Sequence, residues 1–214
     1  MPLQPAQYTK LDESDDGLFY SSPRFVTHVD EGFIQQLTDL YRERLKPPMR
    51  LLDLMSSWVS HLPEEMKFEH VEGHGLNAEE LARNPRLDHY FVQNLNQNQL
   101  LPLPDLSFDA VLITVSVQYL QRPDAILAEI YRILKPGGVV IISFSNRMFY
   151  QKAIQAWRDG SESDRVALVK GYFSAIPGFS RPEEITRLST VPGFLQMLGV
   201  GGGDPFYAVI AHRQ

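Results

Sequence analysis

Apolar residues recur along this chain at two alternating periods, one helical and one extended. From Asp30 to Leu45, positions Phe33, Ile34, Leu37, Leu40, Tyr41 and Leu45 fall at three- and four-residue steps, which places them on one face of a helix. Pro47 and Pro48 end that run, because proline cannot supply the amide a helix needs. MRLLDLM (49–55) is a short apolar run closed by Ser56 and Ser57, as expected for a strand covered on both faces. KFEHVEG (67–73), LDHYFVQ (87–93), FDAVLITVSV (108–117) and GVVIISFS (138–145) predict further strands, the last two being richest in β-branched residues.

Helical patterns separate most of these strands. Residues 63–67 predict a short turn or helix, 77–83 a helix capped by Asn77, and 123–134 a helix with Ile126, Leu127, Ile130, Ile133 and Leu134 on one face. Residues 148–158 and 163–176 predict two more helices, and ITRLS (185–189) and PFYAVIAHR (205–213) predict two closing strands. Such βαβ alternation predicts an α/β fold, doubly wound, with a mostly parallel sheet, helices on both faces and ligands at the carboxyl ends of the strands. Residues 1–18, proline-spaced and acidic at Asp12, Glu13, Asp15 and Asp16, predict a mobile tail. The remainder, 19–214, predicts a single domain that begins with a lid and helix over 19–46, and Gly201, Gly202 and Gly203 predict a flexible connection.

Composition narrows the function classes. A length of 214 residues suits one domain, and 43% hydrophobic with 21% charged residues is globular. The net charge of -6 disfavours nucleic acid and anionic lipid as partners. Cysteine is absent, which excludes disulfides and thiolate chemistry, suits a reducing cytoplasmic compartment, and leaves His, Asp and Glu as the candidate metal ligands. His70 and His74 on one strand have no positioned third ligand, so no metal is expected. No window is apolar enough to span a bilayer and the first residues lack a signal-peptide order. A monomer is the default, with a dimer left open.

The stretch LPLPDLSFDAVLITVSVQYLQRPDAILAEIYRILKPGGVVIIS (101–143) resembles the second half of the class I S-adenosylmethionine-dependent methyltransferase domain, type 11 in particular. The similarity covers roughly 49–147 and implies a Rossmann-like sheet of seven strands with an antiparallel C-terminal strand. Physically, Pro136 ends a helix while Gly137 and Gly138 allow a positive-φ turn into the next strand. The front half departs from the family. Where family members carry D-x-G-x-G-x-G, this chain has Asp53, Leu54, Met55, Ser56, Ser57, Trp58 and Val59. Gly75 stands where an acid would hold the cofactor ribose, and Asn94 where an acid would meet the adenine amino group, a contact an amide oxygen can still make.

The resemblance implies S-adenosylmethionine as cofactor, contacted by Asp53, Met55, Ser56, Ser57, Trp58, Gly75, Leu76, Asn94, Leu95 and Val115. The serine hydroxyls offer donors at a strand end, although a serine turn needs no ligand, and the Trp58 indole offers a face to a sulfonium. His61 and Tyr119 are the candidates for acid–base work. Ser116, Gln118 and Tyr119 after one strand, and Ser145, Asn146 and Arg147 after the next, suit a substrate or a helix cap equally, and Arg147 suits a carboxylate or phosphate. Tyr20, Arg24 and His28 reach the same crevice if FYSSPRFVTH (19–28) folds over it. The implied activity is methyl transfer to a small molecule by in-line displacement, and the alternative is a binding protein that kept the fold and lost the cofactor.

Overall fold

The computed structural model describes residues 3–187 and 203–214. Its sheet has seven strands in the order β3-β2-β1-β4-β5-β7-β6. These are β1 (Arg50–Leu54), β2 (His70–Gly75), β3 (His89–Val92), β4 (Phe108–Thr114), β5 (Leu134–Phe144), β6 (Glu183–Arg187) and β7 (Phe206–His212). Strands β1 to β5 pair in parallel, and β7 runs antiparallel to both β5 and β6. The expected doubly wound sheet and its reversed last strand are therefore present.

Side-chain alternation explains why the central strands read as unbroken apolar runs. In β1, Leu52 and Leu54 enter one core while Leu51 enters the other; β4 divides Val111 and Ile113 from Ala110 and Leu112 in the same way. Each residue of a strand points to the opposite face from its neighbour, and both faces here are covered. Helix α2 (Glu31–Arg44), capped by the Asp30 carboxylate at 2.8 Å, covers one face with Phe33, Leu37, Leu40 and Tyr41. Helices α4 (Pro123–Ile133), α5 (Gln155–Asp159) and α6 (Glu162–Ser174) cover the other. Fully burying a side chain such as Leu37 or Ile130 contributes roughly 1.5–3 kcal/mol.

Several boundaries differ from expectation. Residues 148–154 are not helical, because their amides have tertiary or tight-turn partners: Phe149 N donates to the Tyr119 hydroxyl, Lys152 N to Phe149 O and Ile154 N to Gln118 O. Within 63–67, where a turn or helix was expected, the chain makes a turn at residues 64–65. β4 stops at Thr114 because Val115 turns to φ 49°. Helix α4 ends at Ile133, ahead of Pro136, and Leu134 already opens β5; of the two glycines, both inside β5, only Gly137 has a positive φ, at 79°. Gly138 is required for space, since a Cβ there would lie 2.8 Å from Lys135 O. Leu188 and Ser189 of the expected closing strand, and Gly201 and Gly202 of the expected connection, lie outside the described residues.

The largest correction concerns residues 3–18. They pack on the domain, with a 3₁₀ turn at Pro5–Tyr8 and helix α1 at Asp16–Phe19. Lys152, fully buried, donates to Ser14 O at 2.8 Å and pairs with Asp12 and Asp16, while Lys10 reaches Asp16 at 2.7 Å. The acidic run that reads as a solvated tail supplies the counter-charge for a buried ammonium, which hydropathy cannot reveal.

Candidate functional site

Strand order reverses between β1 and β4, and in an open parallel sheet the crevice at that switch point is where ligands sit. A cavity of about 330 Å³ opens there. Its floor comes from the strand ends: Met55, Ser56 and Ser57 after β1, Gly75 and Leu76 at and after β2, Asn94 and Leu95 after β3, and Val115 and Ser116 after β4. Helix α3 (Ala78–Ala82), capped by Asn77, presents Glu80 to the same space.

The turn after β1 works without glycine through cross-strand bonds. Met55 takes φ 60°, the left-handed region, and its amide donates to His74 Nδ1 at 3.1 Å. The next amide, of Ser56, donates to His74 O at 2.6 Å. Ser56 carbonyl then lies over β2 so closely that a Cβ on Gly75 would meet it at 2.6 Å. Beneath the turn, the buried Asp53 carboxylate accepts from Ser56 Oγ at 2.6 Å, and burial pushes its pKa up to about 6. Val115 is a β-branched residue at φ 49°, a conformation that costs on the order of 1–3 kcal/mol. Gln118 Nε2 holds its carbonyl at 2.9 Å.

The roof is the N-terminal arm. Asn77 Nδ2 donates to Tyr20 O at 2.8 Å, Asn96 Nδ2 to Asp16 Oδ2 at 2.8 Å, and Asn94 Nδ2 to Asp15 Oδ1 at 3.2 Å. The Glu80 carboxylate accepts from Arg24 N and Ser57 Oγ, each at 2.7 Å, so it ties the arm to the β1 turn. Arg24 carries its guanidinium 4.8 Å from the Phe19 ring centre and 5.4 Å from that of Phe149. Its Nη1 is buried without a hydrogen-bond partner among the described residues, as is Ser116 Oγ.

The expected residues divide by location. Met55, Ser56, Ser57, Gly75, Leu76, Asn94, Leu95 and Val115 line the cavity, as do Tyr20, Arg24, His28, Tyr119 and Arg147. Asp53, Trp58, His61, Gln118 and Asn146 do not. Trp58 turns outward, its indole donating to Val26 O at 3.2 Å and meeting the Phe25 ring edge-on, so it is a clasp for the arm. His61, at φ 53°, accepts at its carbonyl from Thr38 Oγ1; burial lowers its imidazole pKa, and no helix follows it. Asn146 is exposed, and Gln118 is fully buried behind Val115.

Burial raises the phenol pKa of Tyr119 and of Tyr20, so both stay protonated near neutrality, and Tyr119 accepts from Phe149 N at 2.9 Å. Burial lowers the pKa of His28. Arg147 is bonded to Asp204 at 2.7 Å. Glu80, Asn96, Asp16 and Phe149 are cavity residues that the sequence patterns do not single out. Only Glu80 carried a signal, as the acid three residues after the Asn77 cap.

Residues 69–142 match the sequence model of a methyltransferase domain. A malonyl-[acyl-carrier protein] O-methyltransferase of Serratia marcescens is 29% identical over 52% of this chain and 44% of its own length. A ubiquinone/menaquinone biosynthesis C-methyltransferase of Hahella chejuensis is 35% identical over 31% of this chain and 28% of its own length. The chain thus aligns with less than half the length of these relatives. Among solved structures, an S-adenosylmethionine-dependent methyltransferase from Archaeoglobus fulgidus superposes with a TM-score of 0.58 over 86% of this chain and 95% of its own, at 14% identity. The strand order and the superposed structure show that the chain has the fold of S-adenosylmethionine-dependent methyltransferases, and residues 69–142 carry its sequence similarity to a methyltransferase domain.

Proposed function

We propose that this protein is an S-adenosylmethionine-dependent methyltransferase acting on a small molecule. The observation that carries the proposal is a roofed cavity at the switch point, with buried polar atoms that have no partner among the described residues. Fit to the cofactor rests on the donor set. Ser57 and Ser116 offer hydroxyls, Asn94 an amide, Gly75 a bare backbone, and Leu76, Leu95 and Val115 an apolar wall for an adenine ring. Bound there, S-adenosylmethionine would supply a methyl group on a sulfonium for in-line transfer.

The chain's own contribution is orientation and dryness, which suffice for much of the acceleration of a displacement reaction. The arm residues Tyr20, Arg24 and His28 close the cavity above the strand ends. The protonated Tyr119 hydroxyl lies on the wall with Met148 and Phe149 and serves as a hydrogen-bonding surface rather than a base. His28, an imidazole on the arm whose pKa is lowered by desolvation, is the cavity side chain assigned to take the acceptor's proton. Titration calorimetry with S-adenosylhomocysteine tests the proposal. Micromolar binding to the wild type, lost in Gly75→Leu, supports it, and no binding at millimolar ligand refutes it.

A further inference from the structure

His74 is 1% exposed, yet neither of its ring nitrogens faces the cavity as a reactive group. Nδ1 lies 3.1 Å from the backbone nitrogen of Met55, and Nε2 lies 2.9 Å from the carbonyl oxygen of Gln93. A backbone amide can only donate and a carbonyl can only accept, so Nδ1 must be bare and Nε2 must carry the proton. The residue's own carbonyl accepts from Ser56 N at 2.6 Å, and the ring packs against Phe91 with centroids 5.0 Å apart. One side chain on β2 therefore ties down both the chain leaving β1 and the chain leaving β3.

Those are two of the segments that form the cavity floor, and the first is a turn with a side chain where the backbone needs φ 60°. A left-handed methionine persists only where its surroundings over-determine it. We propose that His74 is a positioning residue: its neutral imidazole clamps Met55 and Gln93 into one arrangement, so the cofactor floor is built before any ligand arrives. This rests on the cofactor reading for its consequence, and on the two ring bonds for its cause.

The side-chain isosteres separate the two bonds. Asparagine places an acceptor where Nδ1 stands, glutamine a donor where Nε2 stands, and phenylalanine neither. The experiment measures S-adenosylhomocysteine affinity by calorimetry, and exchange of the Met55 amide by NMR, for wild type and for His74→Asn, His74→Gln and His74→Phe. Val169→Ala, in the α6 core away from the cavity, is the control for general loss of stability.

His74→Phe should weaken binding about tenfold or more and expose the Met55 amide to exchange. His74→Asn should keep that amide protected and bind within about threefold of wild type, and Val169→Ala should lower the melting temperature at unchanged affinity. The proposal is overturned if His74→Phe binds and exchanges like wild type, or if the Asn and Phe variants are indistinguishable. Should wild type itself bind nothing, the cofactor reading fails, and the Met55 exchange pattern alone decides for or against the clamp.

Discussion

Two buried titratable groups lie at the ends of adjacent strands and respond to pH in opposite directions. Burial raises Asp53 from its ordinary 3.8 to about 6 and lowers His74 from 6.5 to about 4. Each displacement corresponds to about 3 kcal/mol. For Asp53, the folded state holds its proton more tightly, so this contribution is present below pH 3.8 and is lost as pH rises through about 6. For His74, the folded state resists protonation, so its contribution is present above pH 6.5 and is lost as pH falls through about 4. Between these limits the two nearly cancel. Asp53→Asn removes the first and leaves the second, so its stability relative to wild type should rise by about 3 kcal/mol between pH 4 and pH 7. Urea unfolding of both proteins across that range measures the difference, and every carboxylate they share drops out of it. Parallel curves, with a constant difference at all pH values, would refute the reasoning.

Three other outcomes follow from the same geometry. Lys152→Met removes a fully buried cation from Asp12, Asp16 and Ser14 and should cost about 3 kcal/mol; limited proteolysis should then cut first within residues 3–18, and uniform resistance there would contradict the packed arm. Gly75→Ala would put a methyl 2.6 Å from Ser56 O and should weaken S-adenosylhomocysteine about tenfold by calorimetry, as the β1 turn is pushed off β2. Leu106 is 48% exposed at φ 52°, so Leu106→Gly relieves backbone strain at little packing cost. It should raise stability by about 0.5–1 kcal/mol in urea unfolding, and a loss would mean that its side chain packs more than its exposure suggests.

Strand and helix faces were legible because they depend on periodicity. Leu51, Leu52 and Leu54 can be assigned to opposite cores from alternation alone, and Phe33, Leu37 and Tyr41 to one helix face from their spacing. The cavity's location followed from the βαβ order, since every parallel strand ends on the same side. Which side chains enter the cavity did not follow. Trp58 and Ser57 are neighbours in the chain, yet one faces Val26 and the other Glu80, because a turn has no fixed repeat.

The arm was the hardest segment to read, and the reason is electrostatic. Asp12, Asp15 and Asp16 look solvated until Lys10, Lys152, Asn94 and Asn96, up to 140 positions away, are brought against them. The clamp at His74 is likewise invisible in one dimension, where the residue is only a histidine in a strand. Periodic burial is a local property of the chain, and so the sequence alone determined the scaffold and its open end. The partners of buried polar groups are set by which strand ends meet, and only the tertiary structure decided those.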